Sequence, residues 1–192
     1  MVELNWSYRC AAEIPGARAE RTGEACRSIA GCAASDGIGP ERASEWGVES
    51  KRIGVLGFSA GGHLAAVLSG NNEKRSYDKV DEADEVNCRP DFTILIYPGY
   101  LTIKEQDDKV NPEIMISSNT PPTFITMTED DPVRVEGALF YYAALKKANV
   151  PAELHIYPRG GHGYGLRKVG KNVVTWPSRA AEWMTEAGLL KK

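Results

Sequence analysis

The sequence predicts an α/β fold, a mostly parallel β-sheet with helices on both faces. Two observations lead to this prediction, the order of the segments and the length of the chain. From Lys51 onward, short β-branched and apolar runs alternate with segments whose apolar residues recur at the helical period. Strands that alternate with helices run parallel, and helices then cover both faces of their sheet. The 192 residues are enough for one domain that buries about 70 % of its unfolded surface.

Four runs have the composition of buried strands. Each is short and rich in β-branched or apolar residues, although the last one alternates polar with apolar positions. They are RIGVLGF at 52–58, DFTILIYP at 91–98, PTFITMT at 122–128 and AELHIYP at 152–158.

Three further segments have helical spacing. The first follows the first strand over about 61–69. The second covers about 135–149 and the third about 175–188, each with apolar residues at i, i+3, i+4 and i+7. Pro177 suits the first turn of the last helix, where its missing N–H costs no hydrogen bond.

Charge and hydropathy exclude several classes of partner. The net charge is −3, so no basic face and no nucleic-acid partner are expected. No apolar run reaches the ~18 residues that a membrane span needs, so no membrane partner is expected either. The start, MVELNWSYRC, has no basic stretch followed by an apolar core, so no secretory signal is predicted and the location is left open, cytoplasmic by default. The four cysteines lack the spacing of a metal site and are expected to be reduced thiols.

The beginning of the chain does not follow the α/β pattern. Large aliphatic residues are rare there, and no strand can be placed before the first run. We expect residues 1–42 to form an irregular segment, either poorly ordered or laid over the sheet. Residues 43–192 are then expected to form the α/β domain.

Gly57-Phe58-Ser59-Ala60-Gly61 has the pattern G-x-S-x-G at a predicted strand-to-helix junction. A nucleophile elbow has this pattern because the turn strains the serine backbone and side chains at the flanking glycines would clash. The turn exposes the serine hydroxyl at the top of the sheet and points the first N–H groups of the helix at a developing oxyanion. Ser59 is the predicted nucleophile, and the N–H of Ala60 is a predicted oxyanion donor.

A serine hydroxyl needs a base, and the chain has three histidines. His162 lies in PRGGHGYG, a glycine-rich loop after the last strand, from which its side chain can reach over the end of the sheet. It is the predicted base. His63, four residues after the serine, is expected to pack in the interior, and His155, within the last strand, is expected to be structural.

The third member must be a carboxylate that orients the imidazole and stabilises its cation. TEDDPV follows the third strand, so its three carboxylates lie at the same edge of the sheet. Asp131 is favoured because the proline after it fixes the loop as a turn; Asp130 is the second choice and Glu129 the third. The order Ser59, Asp131, His162 is that of α/β-hydrolases.

Four stretches carry a family resemblance, RIGVLGFSAGGHLA at 52–65, VDEAD…CRPDF…LIYPGYL within 80–101, PPTF…DDPV within 121–133 and VPAELHIYPRGGHGYGL at 150–166. Together they resemble bacterial α/β-hydrolases of the acetyl-xylan esterase and feruloyl-esterase-like group, from about residue 43 onward. The resemblance implies the C-terminal part of an α/β-hydrolase fold and the hydrolysis of carboxylic esters, such as acetyl esters of plant polysaccharide, with no cofactor or metal. It assigns the nucleophile to Ser59, the acid to Asp131, the base to His162 and one oxyanion donor to Ala60.

The resemblance stops near the start of the chain. Members of the group open with several strands and an H-G-G-G-type loop that supplies the second oxyanion donor, and residues 1–50 contain no such motif. We therefore expect the C-terminal part of a longer ancestral esterase, in which residues 9–42 are replaced or frame-altered. The strand at 53–57 would then have an unpaired edge, through which the chain is expected to self-associate.

The favoured interpretation is a serine carboxylesterase that acts on a small-molecule or carbohydrate ester. One alternative is a prolyl-oligopeptidase-like serine peptidase, which shares the elbow and the Asp–His order but normally carries a large gating domain. The other is a truncated fragment that is slow or inactive, since the loss of one oxyanion donor costs about 10²–10³ in rate.

Overall fold

The computed structural model describes residues 52–71 and 89–190 of the chain. In chain order the described elements are β1 (Gly54–Phe58), α1 (Ala60–Gly70), β2 (Phe92–Ile96), β3 (Thr102–Ile103), β4 (Lys109–Val110), β5 (Thr123–Thr128), α2 (Val135–Lys147), β6 (Ala152–Tyr157) and α3 (Trp176–Glu186), with 3-10 turns at Lys104–Gln106 and Asn172–Thr175. All four predicted strands and all three predicted helices are present, with ends within two or three residues of those expected. The hairpin of β3 and β4 was not predicted, because two-residue strands carry no periodicity.

The main sheet is parallel and has the order β1-β2-β5-β6. Its register places Leu56 beside Ile94 and Ile94 beside Phe124, so apolar side chains lie in a row across the sheet. The two central strands hold the core because both of their edges and both of their faces are covered. The α/β fold is confirmed.

Side-chain contacts place α1 and α3 on opposite faces of the sheet. The rings of Phe92 and Phe124 contact Trp183 of α3, with centroids 6.3 and 5.7 Å away. Thr93, the next residue along β2, lies with its hydroxyl 2.6 Å from that of Ser69 in α1. Successive side chains of a strand point to opposite faces, so the two helices cover different faces.

Several predictions lie outside the described residues. These are the irregular segment 1–42, the start of the domain at residue 43, and all four cysteines. Among the strands described, none pairs with the outer edge of β1, and self-association through that edge stays a prediction. Neither described range contains a helix long and apolar enough to cross a membrane.

Candidate active site

Ser59 stands between β1 and α1 in a backbone conformation that few residues with side chains adopt. Its φ is 52° and its ψ −120°. Its N–H donates to the carbonyl of Ile96 at 3.1 Å, and its own carbonyl accepts the N–H groups of Gly62 and Gly99 at 3.0 Å. The strained turn is therefore held both by the first turn of α1 and by the loop after β2.

The glycines of the motif are not equivalent. A Cβ on Gly57 would lie 2.2 Å from the carbonyl oxygen of Gly61, so this position accepts only glycine. A Cβ on Gly61 would meet no described atom within 4 Å, so nothing in residues 52–71 and 89–190 requires glycine there by steric clash. Gly62 is the second tight position, since its Cβ would lie 2.8 Å from Cβ of Pro98, where α1 passes the loop after β2.

The three residues predicted to act together form one hydrogen-bonded chain. Ser59 Oγ lies 2.8 Å from His162 Nε2, and His162 Nδ1 lies 3.0 and 2.9 Å from the two carboxylate oxygens of Asp131. An ionised carboxylate only accepts hydrogen bonds, so Nδ1 carries the proton and Nε2 presents its lone pair to the serine hydroxyl. The Asp131 side chain is fully buried, whereas the imidazole is 28 % exposed.

Asp131 has the partners that a buried carboxylate requires. It lies in the turn after β5, and its Oδ1 accepts the N–H of Val133 at 2.8 Å in addition to the histidine. Its carbonyl accepts the N–H of Arg134 at 3.1 Å, which closes the turn before α2. A buried charge is stable only with such partners, and here they fix the carboxylate toward the imidazole.

Asp130, the second choice for the acid, binds the backbone of the loop that carries His162. Its carboxylate accepts the N–H of Gly160 at 2.9 Å and of Gly161 at 2.7 Å, immediately before His162. The hydrogen bond from the N–H of Gly161, and to a lesser extent that from Gly160, holds the pKa of Asp130 below its usual value. Glu129 is exposed, and its N–H donates to the strand carbonyl of Tyr157. The sequence favoured Asp131 only through the proline that follows it, whereas the structure separates the neighbouring carboxylates by their partners.

The other two histidines lie outside this hydrogen-bonded chain. His63 is buried, with Nδ1 3.1 Å from the carbonyl of Tyr100 and Nε2 3.1 Å from Glu113, so it links α1 to the segment after β2. His155 lies 2.6 Å from Glu153 on its own strand. Both positions agree with the structural roles expected for them.

An aromatic pair packs against the imidazole. The ring of Tyr97 meets that of His162 edge to face, with the centroids 4.9 Å apart. The ring of Tyr164 packs against the ring of Tyr97, with the centroids 4.6 Å apart. Burial raises the pKa of both tyrosines, so their hydroxyls are neutral near pH 7. Sequence reasoning missed this support; the positive φ of 39° at Tyr97, which turns the chain just after β2, has no local sequence signal.

A cavity of about 270 Å³ opens beside Ser59. The loop after β2, the β3–β4 hairpin and the start of α2 form its walls, with Pro98, Leu101, Val133 and Arg134 among the lining residues. Its volume lies just below the ~300–1,000 Å³ typical of small-molecule sites, which suits a small substrate.

The N–H of Ala60 is the first of α1. The first N–H groups of a helix have no acceptor within it and carry partial positive charge, which is the chemistry an oxyanion needs. Its role as oxyanion donor stays a prediction. Within residues 52–71 and 89–190, no three His, Cys, Asp or Glu side chains are grouped as metal ligands.

Comparison with known sequences identifies relatives. The prolyl oligopeptidase family matches residues 42–188. Endo-1,4-beta-xylanase B of Butyrivibrio fibrisolvens is 32 % identical over an alignment of 141 residues that covers 64 % of this chain and 22 % of that protein. An acetylxylan esterase of Xylanibacter ruminicola is 30 % identical over an alignment of 150 residues that covers 66 % of this chain and 28 % of that protein. The chain thus spans about a quarter of the length of these relatives.

Solved structures extend the comparison. The acetyl ester-xyloside bifunctional hydrolase from Caldicellulosiruptor lactoaceticus superposes with a TM-score of 0.74 at 33 % identity, over 96 % of this chain and 71 % of that one. The carboxylesterase Cest-2923 from Lactobacillus plantarum shares the fold, with a TM-score of 0.67 at 24 % identity over 89 % of this chain and 69 % of that one. The chain belongs to the prolyl oligopeptidase family and is an α/β-hydrolase of the acetyl xylan esterase-like group.

Proposed function

We propose that the chain is a serine carboxylesterase that cleaves small acyl esters, and acetyl esters of carbohydrates in particular, through an acyl-enzyme on Ser59. The observation that carries the proposal is the hydrogen-bonded chain from Ser59 through His162 to Asp131. The relatives named as an acetylxylan esterase and an acetyl ester-xyloside hydrolase support the choice of acyl group.

The geometry suits acyl transfer. As Ser59 Oγ attacks the ester carbonyl, His162 Nε2 takes its proton, and the buried carboxylate of Asp131 stabilises the imidazolium through Nδ1. Negative charge then develops at the start of α1, where the N–H of Ala60 and the helix dipole favour it. The imidazolium returns its proton to the departing alcohol. A water molecule activated by the same imidazole hydrolyses the acyl-enzyme.

Turnover of p-nitrophenyl acetate tests the esterase. The initial rate with the purified chain is compared with that of Ser59→Ala, and we expect the variant to lose about 10⁴-fold or more. His162→Ala should lose a similar factor, since the two residues act as a unit. Equal rates for the chain and Ser59→Ala would reject the hydrolase, and would favour the slow or inactive fragment.

Acetate release from acetylated xylo-oligosaccharides tests the carbohydrate substrate. Release that depends on Ser59 is expected. If p-nitrophenyl acetate is cleaved and the acetylated oligosaccharide is not, the esterase is retained and the carbohydrate substrate is rejected.

The family match favours a second candidate, a serine peptidase. A peptidase would use the same nucleophile and base, so mutation of Ser59 cannot separate the two activities. The chromogenic peptide glycyl-prolyl-p-nitroanilide does separate them. Its cleavage without turnover of the ester would select the peptidase.

A further inference from the structure

We propose that the ion pair between Asp108 and Arg134 fixes the width of the cavity beside Ser59 and so limits the length of the acyl chain that the site accepts. This inference rests on the proposed function, because an acyl chain enters the cavity only if Ser59 cleaves esters. The pair joins two walls of the cavity, the β3–β4 hairpin and the start of α2.

The pair is bidentate. The two terminal nitrogens of Arg134 donate to the two carboxylate oxygens of Asp108, each at 2.9 Å. Thr102 Oγ1 also donates to Asp108 at 3.1 Å, and Glu136 lies 3.6 Å from Nε of the arginine. A guanidinium and a carboxylate joined in this way are fixed in orientation as well as in distance. The hydrogen bonds from Arg134 hold the pKa of Asp108 below its usual value, so both partners are charged near neutral pH.

The backbone at both ends of the pair is strained. The φ angles are 53° at Asp107, 54° at Asp108 and 70° at Arg134, in the left-handed region that side chains disfavour. Such angles persist only where the surrounding structure imposes them. The conformation of the hairpin tip therefore depends on contacts such as this ion pair.

The cavity lies directly between the joined walls. Arg134, the residue before α2, and Gly137 of α2 line it on one side, and Thr102 and Lys104 line it from the hairpin. A Cβ on Gly137 would lie 3.5 Å from Thr102 Oγ1, so the two walls are already close to contact at this point. Loss of the ion pair frees the hairpin to move away from α2, and the cavity then widens.

The cavity lies on the acyl side of the nucleophile. The leaving alcohol must be within reach of His162 Nε2, which protonates it. Ser59 lines the cavity, whereas His162 is not among its lining residues. We place the acyl group, on the opposite side of the scissile bond, in the cavity.

Acyl-chain selectivity tests the proposal. The ratio of kcat/KM for p-nitrophenyl hexanoate to that for p-nitrophenyl acetate is measured for the chain and for Arg134→Met, which keeps the length of the side chain and removes its charge. We expect the ratio to rise roughly tenfold, since one methylene in a pocket is worth about 10–200-fold. Gly137→Ala places a methyl group in the cavity and should lower the same ratio by roughly tenfold.

Matched controls separate selectivity from stability. Arg179→Met breaks the exposed pair of Arg179 with Glu182 on α3, 2.8 Å apart, and should leave the ratio unchanged. Asp108→Asn breaks the ion pair from the other side with almost no change in shape. It is measured if Arg134→Met fails to fold, as judged by its thermal unfolding midpoint.

A second readout does not need turnover. Dissociation constants of acetate and hexanoate are measured by NMR titration of Ser59→Ala, with and without Arg134→Met. Both anions carry one charge, so the ratio of their dissociation constants reports chain length alone. When the ion pair is broken, this ratio should shift roughly tenfold in favour of hexanoate. The proposal would be overturned if the hexanoate-to-acetate ratio stayed unchanged in both assays, or if kcat/KM fell by the same factor for every ester. A shifted binding ratio in a chain without Ser59-dependent turnover would reject the esterase and retain the role of the ion pair.

Discussion

The carboxylate of Asp130 accepts the N–H of Gly161 at 2.7 Å, one residue before the histidine that the neighbouring carboxylate of Asp131 contacts. Two adjacent acids therefore act on one loop. Asp131 orients the imidazole of His162, and Asp130 holds the backbone that carries it.

Substitution of the two acids should separate these effects. Asp131→Asn should lower kcat on p-nitrophenyl acetate by about 10⁴-fold, because an amide stabilises the wrong imidazole tautomer. Asp130→Asn keeps one acceptor oxygen for the loop and should lower kcat by about tenfold at most, the equivalent of one weakened hydrogen bond. Steady-state kinetics measure both, and equal losses would contradict the assignment of the acid to Asp131.

The stability that Asp130 contributes should depend on pH. Its pKa is lower in the folded chain than the value of about 3.9 for an unfolded one, because the ionised form accepts the N–H groups of the loop. This contribution is fully present above about pH 4 and is lost as the pH falls through the lowered pKa. The difference in thermal unfolding midpoint between the chain and Asp130→Asn should therefore be constant from about pH 5 to 7 and should shrink below about pH 4. A difference that grows on acidification would contradict this sign.

The two glycines of the G-x-S-x-G motif should respond differently to alanine. Gly57→Ala places a methyl group 2.2 Å from a backbone oxygen and should cost about 3 kcal/mol or more in the free energy of unfolding. Gly61→Ala lies in α1 with open space beside it among the described residues, and should raise the free energy of unfolding by up to about 1 kcal/mol. Urea denaturation measures both values, and similar losses in the two variants would show that Gly61 is also confined.

The effect of deleting a buried hydroxyl on the free energy of unfolding should depend on its hydrogen-bond partners. The hydroxyl of Tyr141 is buried with no hydrogen-bond partner among the described residues, so Tyr141→Phe should raise the free energy of unfolding by about 1 kcal/mol. Ser69→Ala is the contrasting variant, because that hydroxyl bonds the carbonyl of Ala65 at 2.7 Å and the hydroxyl of Thr93 at 2.6 Å. Its removal should cost about 1–3 kcal/mol. Destabilisation by Tyr141→Phe would indicate that the tyrosine has a partner outside the described residues.

The strands, the helices and the location of the site follow from short-range patterns. Apolar runs and helical spacing are local properties, and the carboxyl ends of parallel strands meet at one edge of the sheet. Ser59 follows its strand directly, and Asp131 and His162 lie in the loops after theirs, so their common edge could be predicted without coordinates.

Contacts between distant loops could not be predicted in this way. Asp108 and Arg134 are 26 residues apart, and neither lies in a motif that indicates an ion pair. The tight position at Gly62 depends on Pro98, which arrives from another strand.

By itself, the amino-acid sequence determined the α/β fold, the strained serine turn and the residues expected to surround it, because periodicity and motif spacing act over a few positions of the chain. Only the tertiary structure decided which of two adjacent carboxylates faces the imidazole, and which glycine is sterically confined. The reason is physical: such choices depend on the packing of strands and loops, which brings atoms within 3 Å across separations of 31 and 103 residues.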